Sequence, residues 1–176
     1  MRRIVIAFCI IATSFWTLTA YAEKGLKLPI ANFLDLVRGE SANVSLVIDP
    51  RSIQLDDKRV ITLSGVDFPD LNPYQPGPFA ITAQGILKDM LEKKGVNVYQ
   101  TKNGDWGRMD RLGRQIGHLE RKGDKAWVQG TLITLGLARV MTDQRNPEMS
   151  EAMYTLERQA RAEGIGIWGK DEYKRI

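Results

Sequence analysis

The sequence predicts an α+β domain that is mainly β, a five-stranded Greek-key barrel with three helices. Three observations predict it. From Val44 onward the chain breaks into short Val- and Ile-rich runs separated by turn residues. One amphipathic stretch, "PFAITAQGILKDML", interrupts them after the third run, and two more helical patterns close the sequence. No repeat, low-complexity segment or linker divides the chain, so one domain is expected.

"VSLVID", "SIQL" and "RVITLSGV" form the first three strands, an antiparallel meander. Asp49 opens the turn between the first two, Pro50 pre-sets φ at its second position, and Arg51 with Ser52 closes it. Asp56, Asp57 and Lys58 make the next hairpin loop. "FPDLNPYQPGP" carries four prolines in eleven residues and excludes helix or central strand, so it is a long loop. A helix then starts with Pro78 in its first turn, with Phe79, Ala83, Ile86, Leu87, Met90 and Leu91 on one apolar face. Lys93, Lys94 and Gly95 stop it.

"VNVYQT" and "RQIGHLER" are the fourth and fifth strands, joined by the polar loop "KNGDWGRMDRLG". "AWVQGTLITLGLA" is a helix with Val128, Leu132, Ile133 and Leu135 toward the core. Asn146, Pro147 and Glu148 are a start signal for a last helix, which runs to about Ala162 with Met149, Met153, Leu156 and Ala160 inward and ends at "GIGIW". Five short strands with a helix after the third fit a barrel of the oligonucleotide-binding (OB) type. Residues 23–43 carry mixed signals, and "IANFLDLV" fits a short strand or a short helix.

Residues 1–22 read as an export signal. Arg2 and Arg3 precede an apolar run too short for a bilayer span, and Ala20-Tyr21-Ala22 is a small-x-small cleavage pattern. The expected organisation is therefore a leader (1–22), an N-terminal extension (23–43), the barrel domain (44–170) and a tail (171–176). The expected product is an exported monomer, periplasmic or secreted, without stable membrane insertion. Cleavage would remove two arginines and no acid, lowering the formal charge from +4 to +2, too little by itself to argue for a polyanionic partner. It would also remove Cys9, the only cysteine, so stability must come from packing rather than a disulfide.

Chemistry could reside in few places. In "GVDFPD", Asp67 and Asp70 leave a strand end three residues apart and could share a divalent cation, although Asp-x-Pro-Asp is also ordinary turn chemistry. In "DRLGR", Arg114 could offer its fork to a phosphate. Arg108 and Arg111 share its three-residue spacing, with Trp106 nearby, a combination that suits single-stranded nucleic acid but also describes a solvated charged loop. His118 stands without a second His, Cys or neighbouring triad partner and reads as structural. There is no phosphate-binding Gly-rich loop, Cys/His cluster or nucleophile elbow.

In order and spacing, "VIDPRSIQL", "VITLSGVDFPD", "DRLGR", "GLARV" and the final "GIGIW" together resemble the thermonuclease, or staphylococcal-nuclease-like, family from about Val44 to Trp168. The resemblance implies an OB barrel with three helices and calcium-dependent hydrolysis of DNA or RNA. It also implies a set of site residues, in which two aspartates and a backbone carbonyl hold calcium, a glutamate assists water and two arginines clamp the phosphate. Asp49 matches the turn, but Arg51 stands where a calcium aspartate belongs. Thr62 occupies one clamp position. Asp67 and the Phe68 carbonyl match the other calcium ligands, Asp70 takes the glutamate position one methylene short, and Arg114 is the retained clamp. A cation beside a metal position is costly: two like unit charges about 4 Å apart repel by ~4 kcal/mol at an effective dielectric of 20, and a divalent ion doubles it. These departures divide the expectation between a nuclease, with calcium as its cofactor and nucleic acid as its partner, and an inactive barrel that binds nucleic acid or protein. In the second case Arg51 is expected to pair with Asp67.

Overall fold

The computed structural model describes residues 27–72 and 74–174 of the chain. The leader and its cleavage pattern lie outside the described residues.

The expected barrel is present. Strands β2 (Ala42–Val47), β3 (Ser52–Leu55) and β4 (Val60–Leu63) form the antiparallel meander. Strand β4 then pairs in parallel with β7 (Gln115–Arg121), which pairs antiparallel with β6 (Gly95–Gln100). β6 closes the ring against β2 through Ala42–Val96 and Asn43–Gly95. The result is a closed five-stranded mixed barrel of the OB type. A two-residue strand β1 (Val37–Arg38) lines the outer end of β6; of the stretch expected as a short strand or helix, "IANFLDLV", only Val37 joins it, and residues 30–36 are loop and turn instead.

Alternation along the strands fills the barrel with Ile53, Leu55, Ile61, Leu63, Val96 and Leu119, all nearly inaccessible. Helix α1 (Pro78–Leu91) packs Ala83, Leu87 and Leu91 into this core. Ala80 is buried as well, while Phe79, expected inside, is only partly covered and meets Tyr173 edge-on. Helix α3 (Val128–Thr134) is buried nearly all round, as a helix wedged between barrel and neighbour must be. Burying Leu87 or Leu132 contributes roughly 1.5–3 kcal/mol each relative to exposure.

Three local expectations differ from what is formed. "RVITLSGV" is not one strand: Ser64-Gly65 breaks it, with Gly65 at φ 73°, and Val66–Asp67 becomes β5. Strand β5 leaves the barrel and pairs with β8 (Arg139–Val140), a strand hidden in "GLARV". Secondly, the polar loop after β6 holds a one-turn helix α2 (Asp105–Arg108). Thirdly, helix α4 spans Ser150–Ala162, so Asn146 is not its cap. Asn146 instead closes a turn with Asp143, and the Glu148 carboxylate accepts a hydrogen bond from the Thr101 hydroxyl.

The two C-terminal motifs touch. Gly136 and Gly166 both have φ near +60° and approach so closely that a Cβ on either would lie 2.2 Å from a backbone oxygen of the facing segment. Only glycine satisfies both demands. Ile167 then donates its N–H to the Gly136 carbonyl, and Trp168 is buried with the Arg161 guanidinium 3.8 Å over its ring. A short helix α5 (Asp171–Lys174) follows. This junction fixes the end of α3 and so aims the next residues, including Arg139, at β5.

Candidate phosphate and metal site

The turn after β2 is built as the sequence suggests. Ser52 donates its N–H to the Asp49 carbonyl, and the Asp49 carboxylate accepts the Arg51 N–H at 2.7 Å. The Arg51 carbonyl is held by the Leu63 N–H at 2.8 Å. With its backbone anchored on both sides, Arg51 points its guanidinium across to β5.

There it meets Asp67. Arg51 donates to one carboxylate oxygen at 2.5 Å, the pair expected from the sequence. The other oxygen receives Arg139 of β8, from Nε at 2.9 Å and from the terminal nitrogen at 2.8 Å. Asp67 is thus clasped between two guanidiniums and only 16% exposed. Arg139 had no assigned role in the sequence. Its partner is 72 residues away, and the two-residue strand that brings it there gives no periodic signal. The one available clue was its place in "GLARV".

Asp70 is also committed. One oxygen accepts the Phe79 N–H at 2.9 Å, capping the start of α1 from eight residues before its first residue, Pro78. The other oxygen is buried without a hydrogen-bond partner. Gly77 makes room for this cap, since a Cβ there would lie 2.5 Å from the carboxylate.

Calcium does not fit these residues. The Asp67 oxygens face Arg51 and Arg139, Asp70 is turned into a helix start, and Asp49 stabilises its own turn. Among the described residues no three His, Cys, Asp or Glu side chains are grouped to hold a metal ion.

Arg114, expected as a phosphate clamp, has a different setting. Arg114 lies at the start of β7, one residue before the parallel pairing with β4. Its Nε donates to Asp110 at 2.6 Å, and a terminal nitrogen reaches the Ser52 hydroxyl at 3.4 Å. Asp110 also accepts the N–H groups of Leu112 and Arg114, at 2.8 and 3.0 Å. Burial pushes the Asp110 carboxyl upward, but these backbone bonds and the Arg114 guanidinium outweigh it and hold it below the usual carboxylate range. Thr62, which stands where the resemblance implies the first clamp arginine, only touches Asp110 at 3.5 Å. A cavity of about 260 Å³ opens between Arg51, Thr62 and Thr142.

The three residues grouped for nucleic acid do not act alike. Arg108 turns inward and donates to the Thr101 carbonyl at 2.8 Å, which makes it a brace for the loop. Arg111 is exposed, three residues before Arg114 in the chain, and Trp106 belongs to α2. His118 is sealed among Phe33, Tyr99 and Trp127, and burial lowers its imidazole to about 3, so it stays neutral.

A closed five-stranded mixed barrel with helices packed on it defines an α+β fold of the OB type. A family model of staphylococcal nuclease homologues matches residues 60–170, and the chain belongs to that family. No curated protein matches the chain.

Proposed function

We propose that this protein is an exported member of the family that has given up calcium-dependent hydrolysis and works as a non-cutting barrel that binds single-stranded nucleic acid. The observation that carries the first half is Asp67, whose two oxygens are taken by Arg51 and Arg139. Hydrolysis in the family's manner needs a cation to neutralise charge developing on the phosphate and to position water. Neither the retained Arg114 nor an internal ion pair supplies that.

The second half rests on Arg114 and Arg111. Arg114 keeps about a third of its side chain exposed and is pre-oriented by Asp110, as a phosphate-binding fork requires. Export rests on the leader pattern of residues 1–22. Among the described residues no helix is long and apolar enough to cross a membrane.

The test is fluorescence anisotropy of labelled single-stranded DNA, with calcium and with chelator, followed by a gel of the same mixture. The expected result is salt-sensitive binding, unchanged by chelator, with the strand intact and affinity reduced several-fold in Arg114→Ala and Arg111→Ala. Calcium-dependent cleavage lost in Arg114→Ala would overturn the proposal. Intact DNA with no binding at low salt would favour protein binding instead, for which a groove of about 490 Å³ between Ile30, Trp127, Met149 and Leu156 offers a surface.

A further inference from the structure

The clasp on Asp67 has the geometry of a replacement rather than of a loss. Arg51 lies in the turn before β3, Asp67 in β5 and Arg139 in β8, so one carboxylate joins three segments that are distant in sequence. The Asp67–Arg139 link is reinforced by the backbone, because the two residues are register partners in the β5–β8 pair. Arg51 has no register partner on β5, and its side chain carries a tie from the β2–β3 turn to that ribbon.

We infer that Arg51 and Arg139 are built-in counter-cations that do at Asp67 what a bound divalent ion would otherwise do, so the barrel holds this corner together without metal. Two guanidiniums against one carboxylate already satisfy its charge and leave the corner repulsive to an approaching cation. The only other acid fixed at the turn, Asp49, spends an oxygen on the Arg51 N–H. Asp70 has been moved to a second structural duty at the start of α1. Returning a carboxylate at position 51 would undo the replacement: it would remove one internal cation and free an Asp67 oxygen.

This inference shares with the functional proposal the misfit of calcium, but not the binding of nucleic acid. Its test is thermal melting of the protein in calcium and in chelator. Wild type is expected to melt at the same temperature in both. Arg51→Ala should melt lower in both, by roughly 3–6 °C. Arg51→Asp should melt lower in chelator and recover by about 3 °C or more in millimolar calcium. Wild type stabilised by calcium, Arg51→Ala melting as wild type does, or Arg51→Asp indifferent to calcium would each overturn it. If Arg51→Asp does not fold, wild type and Arg51→Ala still decide. A wild type indifferent both to calcium and to single-stranded DNA would remove the functional proposal and leave this one standing.

Discussion

Two arginine–aspartate pairs lie on the same end of the barrel and look alike in isolation. Arg51–Asp67 and Arg114–Asp110 have N–O distances of 2.5 and 2.6 Å, and the aspartates are 16% and 18% exposed. Their placement in the chain separates them. Asp110 is four residues from its arginine and also ties down its own loop, so that pair is local and serves to aim Arg114. Asp67 is 16 residues from Arg51 and 72 from Arg139, so that cluster is tertiary and serves to hold segments together. The same chemistry orders a local loop in one place and joins distant segments in the other.

The comparison breaks most readily at Asp67. Asp67→Asn leaves two part-buried guanidiniums facing a neutral amide and should cost about 2–3 kcal/mol, read as a lower urea midpoint at unchanged slope. A loss below about 0.5 kcal/mol would reduce the clasp to an ordinary surface pair.

A pH-dependent background must be separated from both pairs. His118 is neutral in the fold with its imidazole lowered to about 3, against about 6.5 when unfolded, so between those values the unfolded chain binds more protons. Stability should therefore fall as pH drops below 6.5, by up to ~1.4 kcal/mol per pH unit. In His118→Phe this slope should flatten between pH 6.5 and 4. An unchanged slope would place the acid sensitivity elsewhere. Asp110 acts in the same direction at lower pH: its carboxyl is held down in the fold, so its contribution is present above the carboxylate range and lost as pH falls through it.

Gly77→Ala extends the comparison to the third acid. Its φ of −76° suits any residue, so the only penalty is the Cβ displacing Asp70 from the start of α1. A loss of about 1 kcal/mol is expected in urea unfolding, as for other lost helix caps. Smallest in stability is Asp110→Asn, expected to cost under ~1 kcal/mol because Arg114 is a third exposed, yet to weaken single-stranded DNA binding several-fold. Equal stability losses for Asp110→Asn and Asp67→Asn would erase the distinction between the pairs.

The barrel was legible in the sequence because its strands alternate and its turns carry Asp, Pro and Gly where the backbone needs them. Arg51 was legible as well, since an arginine in place of an expected carboxylate invites pairing with the other acid of the expected calcium set, Asp67. Arg139 was not, because its action depends on a two-residue ribbon created by the break at Ser64-Gly65, and two residues leave no periodicity. The cap role of Asp70 was hidden for a related reason: the carboxylate reaches across a proline-rich loop to a helix that begins eight residues further on, outside the local spacing of capping motifs. Asn146 shows the converse error. A strong local start signal was overridden when Glu148 joined Thr101 and the helix began at Ser150.

The central claim is that the family's metal position is filled from within. Calorimetric titration of calcium into the wild-type protein tests it most directly. No binding heat beyond dilution is predicted at millimolar calcium, whereas a saturable heat with one-to-one stoichiometry and a micromolar Kd would contradict it.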